Sequence, residues 1–158
     1  MIGVVLAGGA SRRMGEPKTL VVLDGRPLLL HPVEALRGVC ERVAVVCKPD
    51  TPLPQLPEGV EVWHDADERR HPLVGVITAL ERAGGHVLVC AGDMPALDVR
   101  TLEALRDAPP ATAVVAVAED RLQPLLARYA PAALTVLRAM GPDEAAGAVV
   151  ARLEPAVV

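Results

Sequence analysis

The chain is predicted to be an α/β protein, a three-layer α/β/α arrangement around a doubly wound, mostly parallel sheet. Three observations predict it. Short, continuous runs of Val, Leu, Ile and Ala recur along the chain, the pattern of strands buried on both faces. Helix-length segments separate them through short connections. Two of the runs end in glycine-containing loops that carry charged residues, where ligands sit in such sheets.

In order, Ile2 to Leu6 is an apolar run that opens at Ala7-Gly8-Gly9 into a loop. Leu20 to Leu23 followed by Asp24-Gly25 predicts a short extended piece and a turn. Leu28 to Arg37 reads as a helix with Pro27 near its start. Val43 to Cys47 is a second strand, followed by a surface loop from Lys48 to Glu58 that holds Pro49, Pro52, Pro54 and Pro57. Val60 to Trp63 is a third strand, and Leu73 to Arg82 a helix stopped by Gly84-Gly85. His86 to Cys90 is another buried strand and leads into Ala91-Gly92-Asp93. A helix over Val99–Arg106 and a strand over Ala113–Val117 continue the alternation. Leu122 to Tyr129, a helix near Pro131 to Met140, a helix from Asp143 to Arg152 and a final apolar, buried-looking tail complete the chain.

Composition narrows the function classes. The 158 residues are 51% hydrophobic, with no Phe, one Tyr and one Trp, so the core is built of Val, Leu and Ala. No apolar run reaches the roughly 18 residues of a membrane span. The N-terminal charges follow the apolar stretch, the wrong order for a signal peptide. Cys40, Cys47 and Cys90 are odd in number and far apart, which argues against a disulfide framework and a zinc knuckle, and a cytoplasmic location is expected. A net charge of −4 lacks the basic signature of a nucleic-acid binder. Of the 16 basic residues only Lys18 and Lys48 are lysines.

The loop Leu6-Ala7-Gly8-Gly9-Ala10-Ser11-Arg12-Arg13-Met14-Gly15-Glu16-Pro17-Lys18 carries the chemistry. Paired glycines let backbone N–H groups approach a ligand, and successive N–H groups form a concave anion site. Arg12 and Arg13 add forked donors for phosphate oxygens, and Lys18 a compact, mobile ammonium. The spacing fits neither a Walker A loop nor a G-x-G-x-x-G fingerprint. A strand–turn with solvated arginines is the plainer alternative. Asp93 read in isolation suits a turn or a helix N-cap. Asp65, Asp67 and Glu68 make an acidic segment in which Asp65 is singled out because it follows the third strand directly. His64 and His71 match no standard zinc spacing and read as loop residues, and Cys90 as packing.

The pattern L-A-G-G-x-S-R-R-M-G-x-x-K resembles the signature of the MobA-like nucleotidyltransferases, in particular the molybdenum cofactor guanylyltransferase branch. His71-Pro72-Leu73-Val74-Gly75 followed by Ala79-Leu80 is similar to that family's G-P-L-x-G segment. Gly92-Asp93-Met94-Pro95 resembles its C-D-M-P motif, and Gln123-Pro124-Leu125-Leu126-Ala127-Arg128-Tyr129 its Q-P-L-x-A-x-Y stretch. The resemblance implies transfer of GMP from GTP to molybdopterin with release of pyrophosphate, assisted by Mg2+. It also implies nucleotide contacts by Leu6, Ala7 and Gly8 through backbone, with Gly9, Ser11, Arg12, Asp65 and Gly75 alongside. Lys18 would bind phosphates, Arg13 would assist catalysis, and Asp93 would be the metal ligand. A homo-oligomer or a molybdoenzyme-maturation partner is compatible with this reading.

The chain departs from the family pattern in three places. Ala91-Gly92 stands where a Cys usually precedes the aspartate, which predicts a looser metal site. The position of a guanine-contacting asparagine falls near Val46 or Cys47, neither suited to reading a base edge. Relatives continue past the last strand into an N-x-N-T-P-type rim segment, and this chain reaches Val158 about where it would begin. The expectation is one domain over residues 1–158 with that segment missing. Acceptor binding would then differ, a partner would complete the site, or activity would be reduced. CTP as donor, a sugar or polyol phosphate as acceptor, and a non-catalytic nucleotide-binding relative are the alternative readings.

Overall fold

The computed structural model describes residues 1–8 and 17–158. Ile2–Leu6 (β1), Arg42–Cys47 (β4), Glu61–His64 (β5) and Val87–Ala91 (β6) are parallel strands; with Ala113–Ala118 (β7), Arg121–Tyr129 (β8) and Ala156–Val157 (β9) they form a seven-stranded sheet in the order β5-β4-β1-β6-β8-β7-β9. β8 pairs antiparallel with β6 and with β7, while β9 lies parallel to β7. Val22–Leu23 (β2) and Arg26–Pro27 (β3) form a separate small hairpin. The sheet is therefore mostly parallel, as the sequence predicts, with β8 the one reversed strand.

The strands read as unbroken apolar runs because each face meets helices. Val4, Leu6, Ala44, Val46, Val87 and Val89 share one core with the helices Val74–Ala83 (α2), Leu134–Arg138 (α4) and Ala146–Ala151 (α5). Val5, Ala7, Val45, Cys47, Leu88 and Cys90 point the other way, to Leu30–Arg37 (α1) and Val99–Asp107 (α3). This is the two-residue alternation of a strand with both faces covered. Gly3 permits α1 to lie close, since a Cβ there would stand 3.1 Å from that of Leu36.

Two elements differ from the sequence expectation, the last helix and the tail, and the type of a third, Leu122–Tyr129, is decided only by the structure. Leu122–Tyr129 lies within a nine-residue strand although Pro124 interrupts it. Its pairing with β7 skips from Ala127 to Gln123, so the proline falls where no ladder N–H is needed, and the Tyr129 hydroxyl donates to the Pro124 carbonyl at 2.7 Å. The last helix is confined to Ala146–Ala151, because the Glu144 carboxylate accepts the Gly141 N–H in a preceding turn. The apolar tail does join the sheet, but as an exposed edge strand with Val157 58% accessible. Arg128, 5% exposed, donates to the carbonyls of Arg106, Ala108 and Pro109 and so closes the end of α3. None of the described helices is long and apolar enough to cross a membrane.

Candidate nucleotide site

The carboxyl ends of β1, β4, β5 and β6 lie side by side, and most of the described charged candidates project from them. Where β1 ends, the ladder continues briefly. The Ala7 N–H donates to the Val46 carbonyl at 2.8 Å and the Gly92 N–H to the Leu6 carbonyl at 2.9 Å. Leu6 and Ala7 are buried and Gly8 is exposed, and a Cβ built on Gly8 would meet nothing within 4 Å among the described residues. The open backbone predicted for Leu6, Ala7 and Gly8 therefore narrows toward Gly8. Gly9, Ser11, Arg12 and Arg13 lie outside the described residues.

Lys18 rides on a 3-10 turn over Lys18–Leu20. The neighbouring Thr19 hydroxyl fixes that turn by donating to the Pro52 carbonyl at 2.7 Å. From there the Lys18 ammonium reaches the Asp93 carboxylate at 3.4 Å, with the two side chains 52% and 49% exposed. A long, half-solvated pair of this kind contributes at most about 1 kcal/mol, so little holds the lysine to the aspartate. Asp93 is not a helix cap. Asp98 caps α3, accepting from the Arg100 N–H at 3.0 Å.

Two glycines seat this side of the site. A Cβ on Gly92 would stand 2.9 Å from Leu29 Cδ1 and 3.1 Å from the Leu6 carbonyl oxygen. The glycine before Asp93 thus serves a close backbone approach. Gly75, in the first turn of α2, would bring a Cβ to 2.9 Å from Leu6 Cδ2. Its described neighbour is the end of β1, so it lets the helix settle against the strand that carries the loop.

Beyond β4 and β5 the surroundings change. Asp65 extends the ladder by donating its N–H to the Cys47 carbonyl at 2.8 Å. Its carboxylate, 8% exposed, accepts from the Asp67 N–H at 2.9 Å and from the Lys48 ammonium at 2.8 Å. Lys48 also donates to the Asp67 carbonyl. Arg69 forks onto the Asp67 carboxylate and is the main cause holding that carboxyl down at about 2, with the Arg69 N–H adding to it. A polar groove continues from here past Thr78 and Glu81 to Arg82 and Arg138. Val46 and Cys47 are both 2% exposed and face the interior, as expected of residues unsuited to reading a base.

Lys48 is the functional candidate that sequence reasoning passed over. Its scarcity was the one available signal, since both lysines of the chain turn out to pair with aspartates that follow strands β5 and β6. His71 is a structural residue: its Nδ1 accepts the Leu73 N–H at 3.1 Å, which leaves Nε2 to donate to the Glu144 carbonyl at 2.7 Å. His64 Nδ1 lies 3.9 Å from the Cys47 sulfur. Cys90 is fully buried and burial pushes its thiol far up, in keeping with packing.

Among the described residues no group of three His, Cys, Asp or Glu side chains is placed to hold a metal ion. Asp93 suits a hard cation all the same, because magnesium takes one or two protein carboxylates and completes its shell with phosphate oxygens and water.

The chain is similar to known proteins throughout. The family model described as "MobA-like NTP transferase domain" matches residues 3–156. A protein of Bacillus subtilis named "Probable molybdenum cofactor guanylyltransferase" is 35% identical over 143 residues, covering 86% of this chain and 70% of that protein. One of the same name from Pyrococcus horikoshii is 40% identical over 99 residues, 61% of this chain, and the match spans half of that relative's length. The crystal structure of molybdopterin-guanine dinucleotide biosynthesis protein A from Archaeoglobus fulgidus superposes with a TM-score of 0.77 at 28% identity, covering 100% of this chain and 82% of that one.

Proposed function

The chain belongs to the MobA-like NTP transferase family, and on that premise we propose that it transfers GMP from GTP to molybdopterin with release of pyrophosphate. The observation that carries this reading is the Lys18–Asp93 pair beside the open backbone of Gly8, at the carboxyl ends of β1 and β6. In this reaction an acceptor phosphate oxygen bonds to the α-phosphorus, and the bond from that phosphorus to the bridging oxygen of the leaving pyrophosphate breaks. Such transfers depend on positioning and on neutralising charge more than on covalent help.

In this reading Gly8, with Gly9 and Ser11 after it, lines the phosphates, and Arg12, Arg13 and Lys18 supply the cations. Lys18 would exchange Asp93 for the phosphate chain, and Asp93 would then be the carboxylate that holds Mg2+. The ion, when bound, neutralises charge on the triphosphate. Asp65 lies on the nucleoside side, two strands from β1, and Gly75 seats α2 against Leu6.

The test is thermal unfolding with GTP, CTP, ATP and UTP, each with and without Mg2+, followed by pyrophosphate release in the presence of molybdopterin. Selective stabilisation by Mg-GTP is expected, amounting to about 2.7 kcal/mol at a hundredfold excess over Kd. It is expected to be lost in Asp93→Ala and in Lys18→Ala. If both variants bind GTP as the parent does, the site is misassigned. Binding without any pyrophosphate release would make the chain a non-catalytic member of the family.

A further inference from the structure

We infer that Lys48 selects the base of the nucleotide, donating a hydrogen bond to a ring carbonyl and so favouring guanine over adenine. The inference rests on the nucleotide reading above and assigns to that site a residue that none of the family motifs singled out.

Topology comes first. Gly8 and Lys18, proposed for the phosphates, and Asp93, proposed for the metal, gather near the ends of β1 and β6, and the sheet continues from β1 to β4 and β5 on the other side. Neighbouring strands lie roughly 4.8 Å apart, so β6 to β5 is three steps and about 14 Å, a distance an extended nucleoside triphosphate covers. With the phosphates held at one end, the nucleoside lies over the ends of β4 and β5. Lys48 is the residue that directly follows β4.

Chemistry comes second. A lysine ammonium has three N–H donors and no acceptor. Here the Asp65 carboxylate takes one at 2.8 Å and the Asp67 carbonyl another. No third acceptor occurs among the described residues, and the lysine side chain is 36% exposed. Two partners thereby hold the ammonium just past the end of β4, and among the described residues one N–H donor is left over for a ligand. Asp65, at 8% exposure and with both oxygens engaged, acts as the positioning residue that holds it. Guanine presents a carbonyl acceptor where adenine presents an amino donor, and the same opposition separates the pyrimidine keto and amino forms. A fixed cationic donor matches the first and repels the second. Val46 and Cys47, buried within β4, offer nothing comparable.

The experiment is a purine series with the parent protein and with Lys48→Met, read by equilibrium binding with Mg2+ present. GTP and inosine triphosphate share the 6-carbonyl, whereas ATP and the 2,6-diaminopurine nucleotide carry an amino group there. The parent is expected to bind the carbonyl pair about tenfold or more tightly than the amino pair, the scale of one charge-assisted hydrogen bond. In Lys48→Met the ratio of GTP to ATP affinity is expected to fall to within about twofold of one, whatever happens to the absolute affinities. The inference is overturned alone if the parent binds the diaminopurine nucleotide as tightly as GTP, or if Lys48→Met keeps the parent's ratio. Should Lys48→Met not fold, the series on the parent decides. If the parent binds none of the four, the nucleotide reading falls and this inference falls with it.

Discussion

Lys18–Asp93 and Lys48–Asp65 join the same two side chains at the same edge of the same sheet, in different surroundings. The first spans 3.4 Å with both partners about half exposed, on a turn and a loop. The second spans 2.8 Å, with a carboxylate that is 8% exposed and also accepts a backbone N–H. Water screens the first pair and leaves it easy to exchange for a ligand. The second carboxylate depends on its partner, because an unpaired charge away from water is costly. One pair is therefore built to open and the other to stay. That contrast matches a division between a phosphate end and a base end of one ligand.

Removing each lysine tests the contrast most directly. Lys48→Met is expected to lower unfolding free energy by about 2 kcal/mol, since it strands the Asp65 carboxylate. Lys18→Met should change it by less than about 1 kcal/mol. Urea titration of both variants without nucleotide measures the difference, and equal losses would refute the division.

The glycines sharpen it at a somewhat smaller scale. Gly92→Ala drives a Cβ toward Leu29 and the Leu6 carbonyl oxygen, and should cost about 1–2 kcal/mol. A Cβ on Gly8 meets nothing among the described residues, so Gly8→Ala should leave stability within about 0.5 kcal/mol while weakening Mg-GTP. Thermal unfolding with and without ligand separates the two. A Gly8→Ala protein that binds like the parent would remove that backbone from the site.

The smallest effect lies at Asp67. Its carboxyl is held down at about 2 chiefly by the Arg69 side chain, so protons bind it more readily in the unfolded chain. The resulting stability is present above the ordinary carboxylate range, near pH 4, and is lost as pH falls toward 2. Because the pair is partly exposed, the amount is under about 1 kcal/mol. Comparing Asp67→Asn with the parent across pH 2–5 should show a difference that closes at the acid end. A difference that persists unchanged at pH 2 would assign it to another cause.

Several elements were legible from residue order because their physics is local. Apolar runs such as Val43–Cys47 and His86–Cys90 mark strands covered on both faces, and they fall within about two residues of β4 and β6. Asp65 and Asp93 were readable as loop aspartates beyond strands. β8 was harder, because Gln123 and Pro124 break any period, and the strand exists through its two antiparallel neighbours. The tail misled in burial for a related reason. Hydrophobicity states that Ala156 and Val157 can pair, but whether a strand has one neighbour or two is settled by the sheet.

Residue order alone thus dictates the alternation of strand and helix, the glycines and arginines that follow β1 in sequence and the presence of two lysines among sixteen basic residues. These follow from periodicity and composition, which act over a few residues at a time. Which aspartate each lysine meets is decided only by the folded sheet, since Lys18 and Asp93 stand 75 residues apart and Lys48 and Asp65 stand 17. Parallel pairing of β6, β1, β4 and β5 brings those distant positions to one edge, and how much water remains there makes one pair loose and the other firm.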